Sequence, residues 1–336
     1  MKKYRAAVIG CGKIGADPGR YSQKVQPWTH ASIFFNHDST DLVGFMDMDS
    51  SRQEKLSQDF PGIPFFTDAR QMMMQTKPDI VSVATNSGSH AQIVELVSEY
   101  PVKAILCEKP IAKSVAEGER MVAKCKEKGI QLFINHMRRF DPEIRAAKER
   151  IKDLGTVMQA QAYYYRGLFN NGTHTVDLLR YFLGDVIQVV AIKNPNTGGN
   201  YADLPGEMDV DAMLVFASGA HAALQALDAE NYSCSDIIFM AKKGRMGIRH
   251  FGFRIEETGL KPCSIFKGHN ELDDLAPRYR GEARSLMLPA VTHIIDCLEG
   301  RDKSVSTGED GLAAMRVLEA IARSADEGGL PVSLVK

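Results

Sequence analysis

A short apolar run, Tyr4-Arg5-Ala6-Ala7-Val8-Ile9, passes directly into Gly10-Cys11-Gly12-Lys13-Ile14-Gly15, and this junction restricts the fold more than any other stretch. A strand ending in G-x-G-x-x-G has the form of a dinucleotide-binding turn. Each glycine then has a task. Gly10 makes the tight turn, Gly12 lets the backbone approach a pyrophosphate, and Gly15 brings the next helix close to the strand. The phosphates are expected on backbone N–H groups at that helix's N-terminus, where the dipole favours negative charge. Glycine-rich turns are common, so the motif carries weight only if the rest of the chain follows the same grammar.

A chain of 336 residues exceeds one ordinary core, and two domains are expected. With 44% hydrophobic and 25% charged residues the composition is that of a soluble globular protein. The formal net charge of -1 provides no field for nucleic acid or an acidic membrane, and no stretch has the length of a membrane span. Six cysteines, at 11, 107, 125, 234, 263 and 297, show neither C-x-x-C nor Cys/His ligand spacing. That pattern predicts a reducing, cytoplasmic compartment, with no disulfide framework and no metal.

After Gly15, residues 16–28 hold Pro18, Gly19 and Pro27, so a loop interrupts the expected helix, which resumes after Thr29 as N-cap. This loop carries the only tryptophan, Trp28, and either covers the site, reaches a neighbouring subunit or is a plain surface insertion. The second strand, 42–46, ends at Asp47, where a carboxylate accepts hydrogen bonds from both ribose hydroxyls of NAD and repels the 2′-phosphate of NADP. The spacing from the glycines exceeds the usual ~20 residues by about the length of the inserted loop. Arg52 offers a phosphate partner, so NADP is disfavoured rather than excluded; the plainer reading of Asp47 is a helix N-cap.

Helices at 51–59 and 69–76 flank a short strand at 65–66. The run Asp79-Ile80-Val81-Ser82-Val83-Ala84-Thr85 has no polar alternation, as for a parallel strand buried on both faces. It leads to Asn86 and His90. A strand at 102–107 ends in Glu108-Lys109-Pro110, and helix 114–128 and strand 130–134 follow. This alternation predicts a doubly wound parallel sheet over 1–134, with ligands outside the carboxyl ends of its strands.

Beyond it, in 135–336, polar and apolar residues alternate over 157–166, 186–193, 208–216, 221–227 and 237–241. That is an open, mostly antiparallel sheet with one face covered, joined by helices near 172–183, 285–299 and 309–326.

The ordered set Gly10-x-Gly12-x-x-Gly15, Asp47, Thr85 with His90, Glu108-Lys109-Pro110, Arg139-Phe140-Asp141-Pro142 and Gly172-x-His174-x-x-Asp177 resembles the glucose–fructose oxidoreductase/inositol dehydrogenase/rhizopine-catabolism (Gfo/Idh/MocA) family over nearly the whole chain. The resemblance implies a Rossmann domain followed by an open antiparallel sheet. It also implies hydride transfer between NAD and a carbon of a sugar, amino sugar, polyol or nucleotide sugar. A homo-dimer or homo-tetramer formed through the C-terminal sheet is implied as well. Expected cofactor contacts are Gly10, Gly12, Lys13, Ile14, Gly15, Asp47, Met48, Arg52, Thr85, Asn86, His90, Glu108 and Lys109. Expected substrate contacts are Lys109, His136, Arg139, Tyr163, Asn170, Thr173 and His174. Of the three successive tyrosines 163–165, one face is expected in the core and the other at the sugar.

Oxidising an alcohol requires loss of its proton as hydride leaves, best taken by a base with a pKa near neutrality, which His174 provides. Lys109 is expected to donate a hydrogen bond to the same oxygen. The chain departs from the family in two places. Asn170 replaces the usual Asp ahead of the His, removing a carboxylate relay, and Thr85-Asn86 lacks the usual proline. Plainer readings make Lys109 a solvated strand end, His174 a helix-start packing residue, Arg139 a salt-bridged surface residue, and His90 and His136 ordinary satisfied histidines. The competing functions are a non-catalytic dinucleotide-binding regulator and an NAD-dependent glycosidase on the same scaffold.

Overall fold

The structure, a computed structural model, describes all residues except Met1, Lys2, Pro18, Arg20, Gly198, Gly199, Asn200, Ala202, Asp203, Pro205, Tyr232, Leu275, Ala276, Val335 and Lys336. Two compact units divide the chain, 1–141 with 284–315, and 142–283 with 316–336.

In the first unit, β1 (Tyr4–Ile9), β2 (Thr40–Met46), β3 (Phe65–Phe66), β4 (Ile80–Val83), β5 (Ala104–Cys107) and β6 (Gln131–Ile134) form one parallel sheet. Its order, β3-β2-β1-β4-β5-β6, reverses between β1 and β4. That reversal is where the carboxyl ends of parallel strands leave a ligand crevice. β4 is buried along its whole length, as its unbroken apolar run requires.

The helix after the glycine turn, α1 (Lys13–Ala16), lasts one turn; residues 17–29 follow, and α2 (His30–Phe35) resumes the path. Thr29 caps α2 by accepting from Ser32 N–H, and the Ser32 hydroxyl accepts in return from Thr29 N–H, a capping box built with Ser. The inserted loop turns back on itself. Gln26 Oε1 accepts from Trp28 N–H at 3.1 Å, and Trp28 packs on the unit's core. Two of its positions, Pro18 and Arg20, lie outside the described residues.

α3 (Gln53–Asp59), α4 (Ala69–Thr76), α5 (His90–Val97) and α6 (Val115–Lys128) complete the alternation. α6 starts where the Ser114 hydroxyl accepts from Glu117 N–H and stops at Gly129 in the left-handed region. The core holds Val8, Phe34, Phe45 and Phe133 together with Val291 and Ile294 of a late helix (Leu288–Leu298), which belongs to this unit by packing, not by sequence position.

The second unit opens with α7 (Pro142–Arg150). A nine-stranded sheet follows, of β7 (Val157–Tyr165), β8 (Val186–Lys193), β9 (Val210–Phe216), β10 (His221–Leu227), β11 (Ile237–Ala241), β12 (Gly244–Arg249), β13 (Arg254–Thr258), β16 (Arg278–Arg280) and β17 (Val332–Ser333). β7 and β10 pair in parallel and the other neighbours are antiparallel. β14 (Leu260–Pro262) and β15 (Asn270–Leu272) make a separate hairpin. A six-residue π-helical turn (Gly167–Gly172) runs into α8 (Thr173–Leu183), which covers one sheet face: Phe182 stacks on Phe239 with ring centroids 4.8 Å apart. Sequence periodicity passed over β12 and β13, because Gly244, Gly247, Arg245, Arg249, Glu256 and Glu257 dilute their alternation, although Met246, Ile248 and Ile255 still point inward.

Candidate active site

Gly10 takes φ +89°, and a Cβ there would lie 2.7 Å from the backbone of Ala84 and Thr85. At Gly15 a Cβ would stand 1.9 Å from Gly10 O, so this position sets how closely α1 approaches β1. Gly12 differs: no atom lies within 4 Å of its would-be Cβ. Open space over the middle glycine, at the carboxyl end of β1, fits the close approach of a pyrophosphate. Because α1 is one turn long, a phosphate there would gain less from a helix dipole than a long first helix would give.

Asp47 follows β2 beside this turn. Its Oδ2 accepts from Cys11 N–H at 2.7 Å and its Oδ1 from Asp49 N–H at 3.0 Å. Four lone-pair sites on a carboxylate leave room for ribose hydroxyls as well. Arg52 reaches back, with Nη1 donating to Cys11 O at 3.2 Å and Nε 3.3 Å from Asp47 Oδ2. The guanidinium therefore braces the glycine turn and its acid. Met48, next in sequence, is largely exposed and offers an apolar surface at the same edge. Burial, then the Asp47 charge, push the Cys11 thiol up to about 12, so it stays an inert neutral donor toward Met46 O.

Thr85 and Asn86 end β4, and the Thr85 hydroxyl accepts from Ser89 at 2.9 Å. His90, expected at the cofactor, is instead fully buried at the start of α5. Its Nε2 lies 3.1 Å from Thr85 O and its Nδ1 3.0 Å from Pro110 O. Burial holds its pKa below the ordinary value, and a neutral ring has one N–H, so it donates to one of these carbonyls at a time. His90 ties the end of β4 to the segment after β5.

Glu108 and Lys109 end β5, and the Lys109–Pro110 peptide is cis. Glu108 is buried, with Oε1 accepting from His30 Nε2 at 2.8 Å and from Asn135 Nδ2 at 2.6 Å, while Oε2 accepts from Lys109 N–H at 3.1 Å. Burial by itself would raise this carboxyl. The His30 hydrogen bond and charge, then the neighbouring Lys109 charge and the Asn135 amide, outweigh burial and draw it down to about 2. Lys109 is half-buried at the same strand edge. His136, after β6, is buried at the start of a short 3-10 turn.

Arg139, expected at the substrate, is turned inward: Nη1 lies 2.9 Å from Asp310 Oδ1 and 3.1 Å from Val305 O. Asp141 of the same motif is buried and holds Arg284 through two hydrogen bonds of 2.6 and 2.7 Å. These two residues of Arg139-Phe140-Asp141-Pro142 bind the late segment 284–315 to the first unit.

In the second unit, His174 is buried in the first turn of α8, with Thr173 before it and Asp177 three residues on. The preceding π-helical turn is pinned from outside, with Gly167 N–H donating to Asp209 Oδ1 at 3.1 Å and Phe169 N–H to Glu207 Oε2 at 2.9 Å. Asn170 Nδ2 closes the turn on Arg166 O at 3.0 Å. A π-helical insertion at a helix start commonly re-aims side chains at functional sites.

Of the tyrosines, Tyr164 is the core member: its hydroxyl donates to Val210 O, and Gly172 packs on its ring. Strand alternation puts Tyr163 on the opposite face, with Gln161 and Gln225. α8 covers the Tyr164 face, and Tyr163 lies on the other.

The residues that sequence reasoning missed are His30, Ser82 and Asn135. Ser82, a lone hydroxyl inside a fully buried apolar strand, was the available signal, since such a group needs a partner.

Residues 4–136 match the family described as "Oxidoreductase family, NAD-binding Rossmann fold", and 167–334 match that family's "C-terminal alpha/beta domain". The chain belongs to the Gfo/Idh/MocA oxidoreductase family, with 4–136 its NAD-binding domain. Among similar proteins, the D-apiose dehydrogenase of Paraburkholderia graminis is 29% identical over 210 residues, 57% of this chain and 52% of that protein, about half its length. The myo-inositol 2-dehydrogenase of Thermotoga maritima is 24% identical over 96% of both chains. Among solved structures, the WlbA dehydrogenase of Bordetella pertussis, in complex with NADH and UDP-GlcNAcA, shares the fold with a TM-score of 0.77, 21% identity and full coverage of both chains. No helix among the described residues is long and apolar enough to cross a membrane.

Proposed function

We propose that the protein oxidises a secondary alcohol, or reduces the corresponding carbonyl, on a sugar, polyol or nucleotide sugar, with NAD as hydride partner. The observation that carries this is the common sheet edge. Lys109, at the end of β5, shares it with the Gly10–Gly15 turn and Asp47. NAD supplies the hydride acceptor when bound. Gly10, Gly12, Gly15, Asp47, Met48 and Thr85 hold it.

Lys109 donates a hydrogen bond to the reacting oxygen and stabilises its alkoxide character. His174 Nε2 or Nδ1 takes the hydroxyl proton. Asn170 orients substrate or imidazole without the charge that an Asp would add. Relatives acting on D-apiose and inositols support the carbohydrate class. Six free cysteines support a reducing, cytoplasmic setting. Self-association would use the open face of the nine-stranded sheet, which exposes Ile192 and Met213.

The test is NADH appearance when the purified protein meets NAD and a panel of pentoses, inositols, sugar phosphates and nucleotide sugars, with Lys109→Ala alongside. Turnover of one class, lost in Lys109→Ala, is expected. Tight NADH binding with no turnover across the panel would overturn the reading in favour of a regulator.

A further inference from the structure

Ser82, His30, Glu108 and Asn135 form a continuous buried chain of hydrogen bonds behind Lys109. Ser82 Oγ lies 2.6 Å from His30 Nδ1, and His30 Nε2 donates to Glu108 Oε1 at 2.8 Å. Asn135 supplies the second donor to the same carboxylate oxygen at 2.6 Å and lies 3.1 Å from Met287 Sδ. Ser82 and His30 are wholly buried, so neither reaches substrate or cofactor. A buried serine and histidine carry a desolvation cost unless each polar atom is matched, and here each one is.

We propose that His30 is a positioning residue for the reaction: held at Nδ1 by Ser82, it fixes the Glu108 carboxylate in one orientation and so holds Lys109 at the reacting oxygen. This rests on the reading of Lys109 as the partner of that oxygen. Glu108 acts on Lys109 in two ways. Its Oε2 accepts the Lys109 backbone N–H, which fixes where the side chain leaves the main chain. Its charge also favours the Lys109 ammonium. Other groups facing the carboxylate are His90 from α5 and the Cys107 thiol from β5, both kept neutral by burial. His30 is therefore the imidazole that hydrogen-bonds this carboxylate. Because α2 begins directly after residues 16–28, the inserted loop delivers the residue that braces the catalytic strand end.

The test compares wild type with His30→Gln, His30→Phe and Ser82→Ala. Gln keeps a donor toward Glu108; Phe fills the space and has none. In His30→Phe, kcat is expected to fall about tenfold or more, with the affinity for NADH, read by fluorescence titration, within twofold (~0.4 kcal/mol) of wild type. The pH at which Lys109 ionises, read from its 13C-methylated amine by NMR, is expected to move as the carboxylate loses its fixed orientation. His30→Gln is expected to recover most of both, and Ser82→Ala to fall between.

The amine titration needs no turnover, so it stands even if the substrate panel is silent. Should His30→Phe not fold, Ser82→Ala and His30→Gln carry the test by the same readouts. An unmoved Lys109 titration and an unchanged kcat in the folded variants would overturn the proposal. So would His30→Gln falling as far as His30→Phe.

Discussion

Asp141 is the last residue before the chain enters the second unit and Arg284 is the first after it returns, and the two are joined by paired hydrogen bonds. Arg284 Nε donates to Asp141 Oδ2 at 2.7 Å and Nη2 to Oδ1 at 2.6 Å, with the carboxylate fully buried. A planar fork on a carboxylate is the geometry in which an ion pair is strongest. Removing one member leaves the other without its partner, at a cost of about 3 kcal/mol. Asp141→Ala is expected to lower the unfolding free energy read from urea denaturation by about that amount. Arg284→Met, which takes both of these hydrogen bonds from a buried carboxylate, should cost at least as much.

Gly15 is the glycine whose replacement has the least room. Gly15→Ala would place a methyl against Gly10 O, so α1 must shift away from β1. Overpacking of this kind costs about 1–3 kcal/mol. NADH binding is expected to weaken at least tenfold, a difference of about 1.4 kcal/mol. Gly12→Ala meets nothing in the protein and should fold normally, yet lose NADH affinity if the methyl takes the space proposed for the phosphate. Equal NADH affinity in Gly12→Ala and wild type would remove the middle glycine from the cofactor site.

On the proposed reading, Asp47→Ser removes the ribose acceptor and the charge that opposes a 2′-phosphate; it also releases Arg52 from its 3.3 Å pairing. The NAD dissociation constant is expected to rise about tenfold, the worth of a charged hydrogen bond. NADP should gain relative to NAD. Fluorescence titration with both reduced cofactors checks this, and an unchanged NADP-to-NAD ratio would count against Asp47 as the selector.

Glu108 links the site to stability at low pH. Its folded pKa, about 2, lies below the ordinary 4.5, so the unfolded chain binds the proton more readily. The carboxylate's contribution is complete above about pH 5 and is lost as pH falls through 4.5 toward 2. The shift is worth on the order of 3 kcal/mol. Denaturation of wild type and Glu108→Gln should show a gap that narrows steadily across that window. A gap independent of pH would mean the charge plays no part.

Much of the cofactor half was legible because parallel strands announce themselves. Ile80–Val83 and Ala104–Cys107 are apolar on both faces, and the residues just past them, Thr85, Glu108 and Lys109, must then lie at one edge. His90 and Arg139 were legible as motif members but not as to their direction. Whether a side chain faces a crevice or a carbonyl inside the core depends on packing partners from elsewhere in the chain. For Arg139 the partner is Asp310, 171 positions away in the sequence numbering. Tyr163 and Tyr164 show the same limit in a strand: alternation separates them, but only the placement of α8 decides which face is covered.

The sequence by itself determined the glycine turn, the acid at the end of β2, the order of strands and helices, and the change from parallel to antiparallel grammar. All of these are local in period, propensity or spacing. The tertiary structure alone decided that residues 284–315 pack into the first unit, and that His30 reaches Glu108 across 78 positions of sequence. It also decided that Arg139 and Asp141 serve as internal clamps. Such pairings depend on which buried polar groups satisfy one another once the apolar core has closed, and that matching has no sequence period.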